Sequence, residues 1–218
     1  MSDLIQDDGP TISKATLDDV PQIKSMVDAA FSKYIDRIGK PPGPMTADYH
    51  YIVTTQDAFV LRDSNASGSK VVGFISLSLL PESNSESNTI SVNIDILVVD
   101  ALAQGRGYGR KLMEHAEDEA RRQGISYLTV CTNVKMYENI GLYTKTGFVE
   151  VGRHNEEGFD RVFFRQDLSV GNHSVAVYSS RNGTTTSRTA QQLLLRHPSS
   201  KVQTSSTINT TTTHPFSS

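Results

Sequence analysis

The sequence predicts a mixed α/β domain, and three observations carry that prediction. Short runs rich in β-branched and apolar residues alternate with segments whose apolar positions recur at helical spacing. Clusters of Gly, Pro, Asn and Ser punctuate the two kinds of segment. Taken in order, the elements run β-α-loop-β-β-β-α-β-α-β-β, which implies a mixed sheet with helices packed on its faces.

Residues 11–14 read as a first short strand. Thr16 then caps a helix, with Asp19 at capping-box spacing. Ile23, Met26, Val27, Ala30 and Phe31 follow as one apolar helical face. Pro21 is tolerable there because the first helical N–H groups have no intrahelical partner. Residues 34–45 contain Pro41-Pro42-Gly43-Pro44 and read as a loop or broken helix. Strands are expected at 58–62, 70–80 and 89–99, with 81–88 as a polar hairpin loop. In the third of these, Ile90, Val92, Ile94, Ile96 and Val98 alternate with Ser91, Asn93, Asp95, Leu97 and Val99, which predicts two opposite faces. A helix is expected over 107–123, buried through Leu112, Met113, Ala116 and Ala120 and stopped by Gly124. A strand at 126–132, a helix at 135–146 and strands at 148–153 and 161–168 complete the domain, the last two around a turn at 155–158.

The chain has 218 residues, 37% of them hydrophobic and 21% charged, which suits one domain with an appendage. This composition excludes collagen-like and coiled-coil rods. No apolar run reaches the roughly 18–20 residues of a membrane span, and the acidic start lacks the apolar core of a secretory signal. The cytosol or nucleus is the expected compartment, and no membrane role is expected. A lone cysteine, Cys131, excludes an internal disulfide. It reads as a small core residue rather than a nucleophile. The six histidines show no metal-ligand spacing, so no metal is expected.

Composition changes after Leu168. Residues 1–169 form the expected domain and 170–218 a tail in which 20 of 49 residues are Ser or Thr. The tail has four basic residues and no acid, so of the net charge of -3 the first 169 residues carry -7. Such a segment is expected to stay disordered, because it cannot bury enough apolar area to offset its ordering entropy. The acidic domain and sparse basic tail argue against a nucleic-acid partner.

The most informative stretch follows the 89–99 strand. Gln104-Gly105-Arg106-Gly107-Tyr108-Gly109-Arg110 leads straight into a helix. Glycines let the backbone turn tightly and approach a ligand, and the helix start offers unpaired N–H groups and positive dipole to a phosphate. Arg106, Arg110 and Lys111 are expected to add charge around the same anion. A Rossmann fingerprint fails on spacing and on the missing acid about 20 residues on. A P-loop string is absent.

What Gln104 to Gly109 resembles is the acyl-CoA signature [QR]-x-x-G-x-[GA] of the GNAT superfamily of N-acetyltransferases, satisfied at every position. A second element, Leu142-Tyr143-Thr144-Lys145-Thr146-Gly147-Phe148, resembles that family's later helix at the family's interval. The resemblance spans roughly residues 11–168. It implies a mostly antiparallel sheet flanked by helices, with the 89–99 and 126–132 strands splayed apart at their ends. It further implies acetyl-CoA as co-substrate, its pantetheine pairing with backbone at Leu97, Val98 and Val99 and its diphosphate resting on Gln104 to Arg110. An oxyanion donor is implied in a backbone N–H near Leu97 or Val98.

Direct attack by an amine requires a neutral amine and a protonated leaving thiolate. The resemblance makes Tyr143 the proton donor, with a core tyrosine as the alternative. Asp95 is implied as the group that binds or deprotonates the amine, with a solvated or paired strand carboxylate as the alternative. Asn93 is expected to assist it, and Asn139 to contact the cofactor. Tyr34, Arg37 and Met45 fall in the variable segment that lines the acceptor pocket in such folds. Arg37 is a candidate for a substrate carboxylate, or else for a surface salt bridge. The expected activity is acetylation of a primary amine of a small molecule, by a monomer or homodimer. Acetylation of protein lysines or N-termini and a non-catalytic CoA-binding role are the alternatives.

Overall fold

Seven strands form one sheet in the order β1-β2-β3-β4-β5-β7-β6. They are β1 (Thr11–Lys14), β2 (Asp57–Asp63), β3 (Lys70–Pro81), β4 (Ile90–Val99), β5 (Tyr127–Asn133), β6 (Val149–Glu156) and β7 (Phe159–Asp167). Every neighbouring pair is antiparallel except β4 with β5. The structure, a computed structural model, describes residues 9–63, 70–81 and 89–169. The expected tail and the loop at 82–88 lie outside the described residues.

Among the described residues, six α-helices accompany the sheet: α1 (Val20–Phe31), α2 (Ile35–Ile38), α3 (Gly43–Thr46), α4 (Tyr49–Thr55), α5 (Tyr108–Arg122) and α6 (Tyr137–Lys145). The Thr16–Asp19 capping box forms, but it caps a short 3-10 turn at Leu17–Asp19 that runs on into α1. The segment 34–45, read as a loop or broken helix, carries two short helices, α2 and α3. Beyond it, α4 was not anticipated; Asp48 caps it by accepting from the N–H groups of His50 and Tyr51. No helix among the described residues is long and apolar enough to cross a membrane.

The sheet separates two apolar cores. On one face α5 and α6 bury Leu112, Met113, Ala116 and Tyr143 against Ile75, Ile94, Leu128, Val130 and Phe164. On the other, α1 and α4 bury Ile23, Val27, Phe31 and Ile52 against Val60, Phe74, Ile96 and Val98. Each Val, Leu, Ile, Phe or Met among them contributes roughly 1.5–3 kcal/mol when fully buried.

One feature of β4 corrects the sequence reading. Ser76 pairs with Ile96 and the next residue, Leu77, pairs with Ile94, so Asp95 is an extra residue with no partner on β3. A bulge of this kind reverses the facing of everything beyond it. Val92 and Ile94 therefore enter the α5 core while Ile96 and Val98 enter the α1 core. The five alternating residues do not share one face. Just past the same point β4 also leaves β5: only Val92, Asn93 and Ile94 pair across, with Leu128, Thr129 and Val130. The two strands continue to Val99 and Asn133 without further pairing to each other, which is the fork that the resemblance implied.

Candidate active site

The fork opens a cleft of about 420 Å³ between the outer half of β4 and helix α6. Leu97, Val98 and Val99 form one wall, and Asn139 and Tyr143 of α6 the other. At one end lies the glycine turn, where Gln104, Gly105, Gly107, Tyr108, Gly109 and Arg110 all line the cleft. Gly105 and Gly107 sit at φ +82° and +80°, a backbone region that a side chain disfavours. In α5 the first helical bond of the cap region runs from Lys111 N to Gly107 O at 3.0 Å. The amides from Gly107 to Arg110 thus belong to the unpaired first turn, where the helix dipole also favours an anion.

The basic side chains near the turn do not converge as expected. Arg110 lines the cleft but pairs with Glu114 at 2.9 Å. Lys111 turns away and donates to Pro10 O at 2.6 Å. Arg106 lies 3.5 Å from the buried Asp63 and is not part of the cleft lining. The Tyr108 hydroxyl donates to the same carboxylate at 2.6 Å, and that bond raises its pKa. The donors that the turn presents to the cleft are therefore chiefly backbone N–H groups, and Gln104 braces the turn by donating to Val99 O at 3.2 Å.

Behind this cleft lies a smaller recess of about 90 Å³. Asp95, displaced by the bulge, lines it together with Phe31, Pro42, Pro44, Phe159 and Arg161. Its carboxylate accepts from Ser78 Oγ at 2.9 Å and from Asn93 Nδ2 at 2.6 Å, while Asn93 Oδ1 accepts from Thr129 Oγ1 at 3.1 Å. Desolvation by the walls of the recess raises the Asp95 pKa above the ordinary carboxylate value, against those two hydrogen bonds, although the side chain keeps exposed surface. Tyr143 lines both chambers and is 5% exposed. Burial, with smaller contributions from Cys131 and Tyr34, pushes its phenol above the ordinary value. Its ring is held edge-on against Phe148 and tilted against Phe164.

A β4–β5 pairing that stops at Ile94 and Val130, a run of unpaired backbone amides and a buried phenol at the junction of two chambers define this site. Residues 23–148 match the Acetyltransferase (GNAT) family. This chain belongs to that family. It is 41% identical over 64 residues to an IAA acetyltransferase of Azospirillum brasilense; the match covers 29% of this chain and 42% of that relative. The GNAT chain thus matches well under half the length of that protein. Among solved structures, the NatC complex bound to Gag peptide and CoA contains a chain with TM-score 0.58 at 20% identity, covering 73% of this chain and 99% of that one. The ribosomal-protein-S18-alanine N-acetyltransferase of Escherichia coli gives TM-score 0.53 at 19% identity, covering 76% and 98%. At such identities the two structures establish the fold.

Within this GNAT site, the remaining expected residues are placed as follows. Asn139 lines both chambers, its Nδ2 donating to Thr132 Oγ1 at 3.3 Å. Tyr34 is buried and lines the larger cleft rather than the recess. Arg37 lines neither; it spans from α2 to α6 and binds both oxygens of Glu138 at 3.0 Å, the surface salt bridge left open as its alternative. Met45 packs against the α1 core, and its neighbours Pro42, Gly43 and Pro44 face the recess instead. Asn93 stands outside the lining and reaches it through Asp95. Sequence reasoning missed Phe159 and Arg161, which begin β7 and carry no motif. Their pairing opposite Glu156 and His154 across the β6–β7 turn is the only local signal, and it speaks of a hairpin.

Proposed function

We propose that this chain transfers an acetyl group from acetyl-CoA to the primary amine of a small molecule, by direct attack in a ternary complex. The observation that carries the reading is the fork past Ile94 and Val130, where one cleft meets a separate recess and Tyr143 lines both. When bound, acetyl-CoA supplies an activated acyl thioester. The amides of Gly107 to Arg110 hold its diphosphate, and the unpaired outer edge of β4 at Leu97 to Val99 offers strand-like hydrogen bonds to its amide arm. Asp95 receives the ammonium and takes up its proton directly or through water. Its raised pKa makes it a better-matched base than a free carboxylate. Tyr143 stays protonated because burial disfavours the phenolate, and it returns a proton to the departing thiolate.

The recess supports a small acceptor over a peptide. Lys40 lies 3.5 Å over the Phe159 ring and 3.4 Å from Glu157 O, so the segment after α2 meets the β6–β7 turn beside the recess that Phe159 lines. Thiol release from acetyl-CoA, measured across primary amines, polyamines and peptides, tests the proposal. Turnover with small amines is the expected result. Turnover with peptides alone would replace the acceptor class, and none with any acceptor would overturn the reading.

A further inference from the structure

The recess has a negative side and a positive side. Asp95 follows Ile94, the last residue of β4 to pair with β5, and Cys131 follows Val130, the last of β5 to pair with β4. Arg161, across β5 on β7, reaches back so that its Nη1 lies 3.2 Å from Cys131 Sγ. The guanidinium and the carboxylate therefore flank the point where the strands part. Both side chains line the same recess, although β5 separates their strands in the sheet.

Arg161 has two acidic neighbours at the β6–β7 turn, but its guanidinium is not fully hydrogen-bonded by them. Its Nε is buried and makes no hydrogen bond among the described residues, although Glu156 Oε2 is 3.3 Å away. A thiol sulfur, a weak acceptor, occupies Nη1. The second acidic neighbour, Glu157, is 3.9 Å away and 83% exposed, so solvent screens it. Phe31, Ile38 and Phe159 supply apolar wall between the charged sides.

We infer that the acceptor is an amino acid, its ammonium directed to Asp95 and its carboxylate to the Arg161 guanidinium. This rests on the acetyl-transfer reading and names its substrate class. A planar guanidinium is suited to a carboxylate through paired N–H donors. In the transfer the amine nitrogen forms a C–N bond to the acetyl carbon as the C–S bond breaks. The ammonium has already lost one proton to Asp95, and the amide nitrogen loses a second to water. The departing sulfur takes the phenolic proton of Tyr143, which water restores. The products are an N-acetyl amino acid and free CoA.

The test compares matched acceptors, such as leucine with 3-methylbutylamine and γ-aminobutyrate with n-propylamine, using thiol release by the full chain. The carboxylated member of at least one pair is expected to show a kcat/KM about tenfold or more higher, through KM. Arg161→Gln should erase that preference by raising KM for the amino acid about tenfold more than KM for the matched plain amine, and Arg161→Lys should restore part of it. Equal use of both members by the native protein would overturn the inference while leaving amine acetylation standing. An equal loss for both members in Arg161→Gln, with a lower Tm, would assign Arg161 to holding the β6–β7 hairpin and overturn it too. Silence with every amine would instead sink the underlying reading.

Discussion

The two chambers of this molecule are built by different means. The larger cleft has a main-chain wall, the unpaired edge of β4 and the first turn of α5 shaped by glycines at positive φ, opposite residues of α6 and the end of α1. The recess is made of side chains brought from β4, the α2–α3 segment and β7, and its polarity comes from Asp95 and Arg161. A main-chain site tolerates exchange of most nearby side chains and suits an invariant ligand part. A side-chain site changes its ligand whenever its residues change. The contrast teaches where to look for common chemistry and where for specificity.

Replacing the residue that both chambers share should break the contrast most. Tyr143→Phe is expected to lower kcat about 100-fold in steady-state thiol release while CoA binding, measured by calorimetry, stays within about twofold. Next, Asp95→Asn should affect only the recess, lowering kcat/KM about tenfold and flattening its rise with pH. In the native protein that rise should centre above the ordinary carboxylate range, because desolvation raises the Asp95 pKa. The sign for stability is opposite. A folded carboxyl that holds its proton more tightly than the unfolded one loses stability as pH climbs from the ordinary value through the raised one. Asp95→Asn should therefore melt higher than the native protein near pH 7, with the gap closing on acidification.

Gly107→Val sharpens the comparison from the main-chain side. It places a β-branched residue at φ +80°, at a cost of about 1–2 kcal/mol, and should raise KM for acetyl-CoA about tenfold without altering preference among amines. The smallest effect is expected from Arg37→Gln. Both partners of its ion pair with Glu138 are more than a third exposed, so calorimetry should show a Tm shift under about 3 °C.

The same contrast explains what could be read from the chain. The glycine turn was legible because its geometry is dictated by six contiguous residues, Gln104 to Gly109. The recess was not, since Asp95, Pro44 and Arg161 meet only after β4, β5 and β7 are laid side by side. The bulge also escaped, because Ile90 to Val98 alternate without interruption in sequence. A trace was nonetheless present: Leu97 and Val99 are apolar where Ser91 and Asn93 are polar, so the supposed polar face changes character right after Asp95. Arg106 and Lys111 were assigned to the anion on proximity in sequence alone. Their side chains instead satisfy Asp63 and the Pro10 carbonyl.

Asp63, at the far end of β2, belongs to neither chamber, yet the Tyr108 hydroxyl and the Arg106 guanidinium are both tethered to it. The glycine turn is consequently moored to the sheet's scaffold before any coenzyme arrives. Its freedom has been surrendered during folding, so capture of the diphosphate need not freeze a wandering loop, and less of the binding energy is consumed in doing so. On the proposed reading, a carboxylate outside the lining of either chamber thereby helps set how tightly the donor is held.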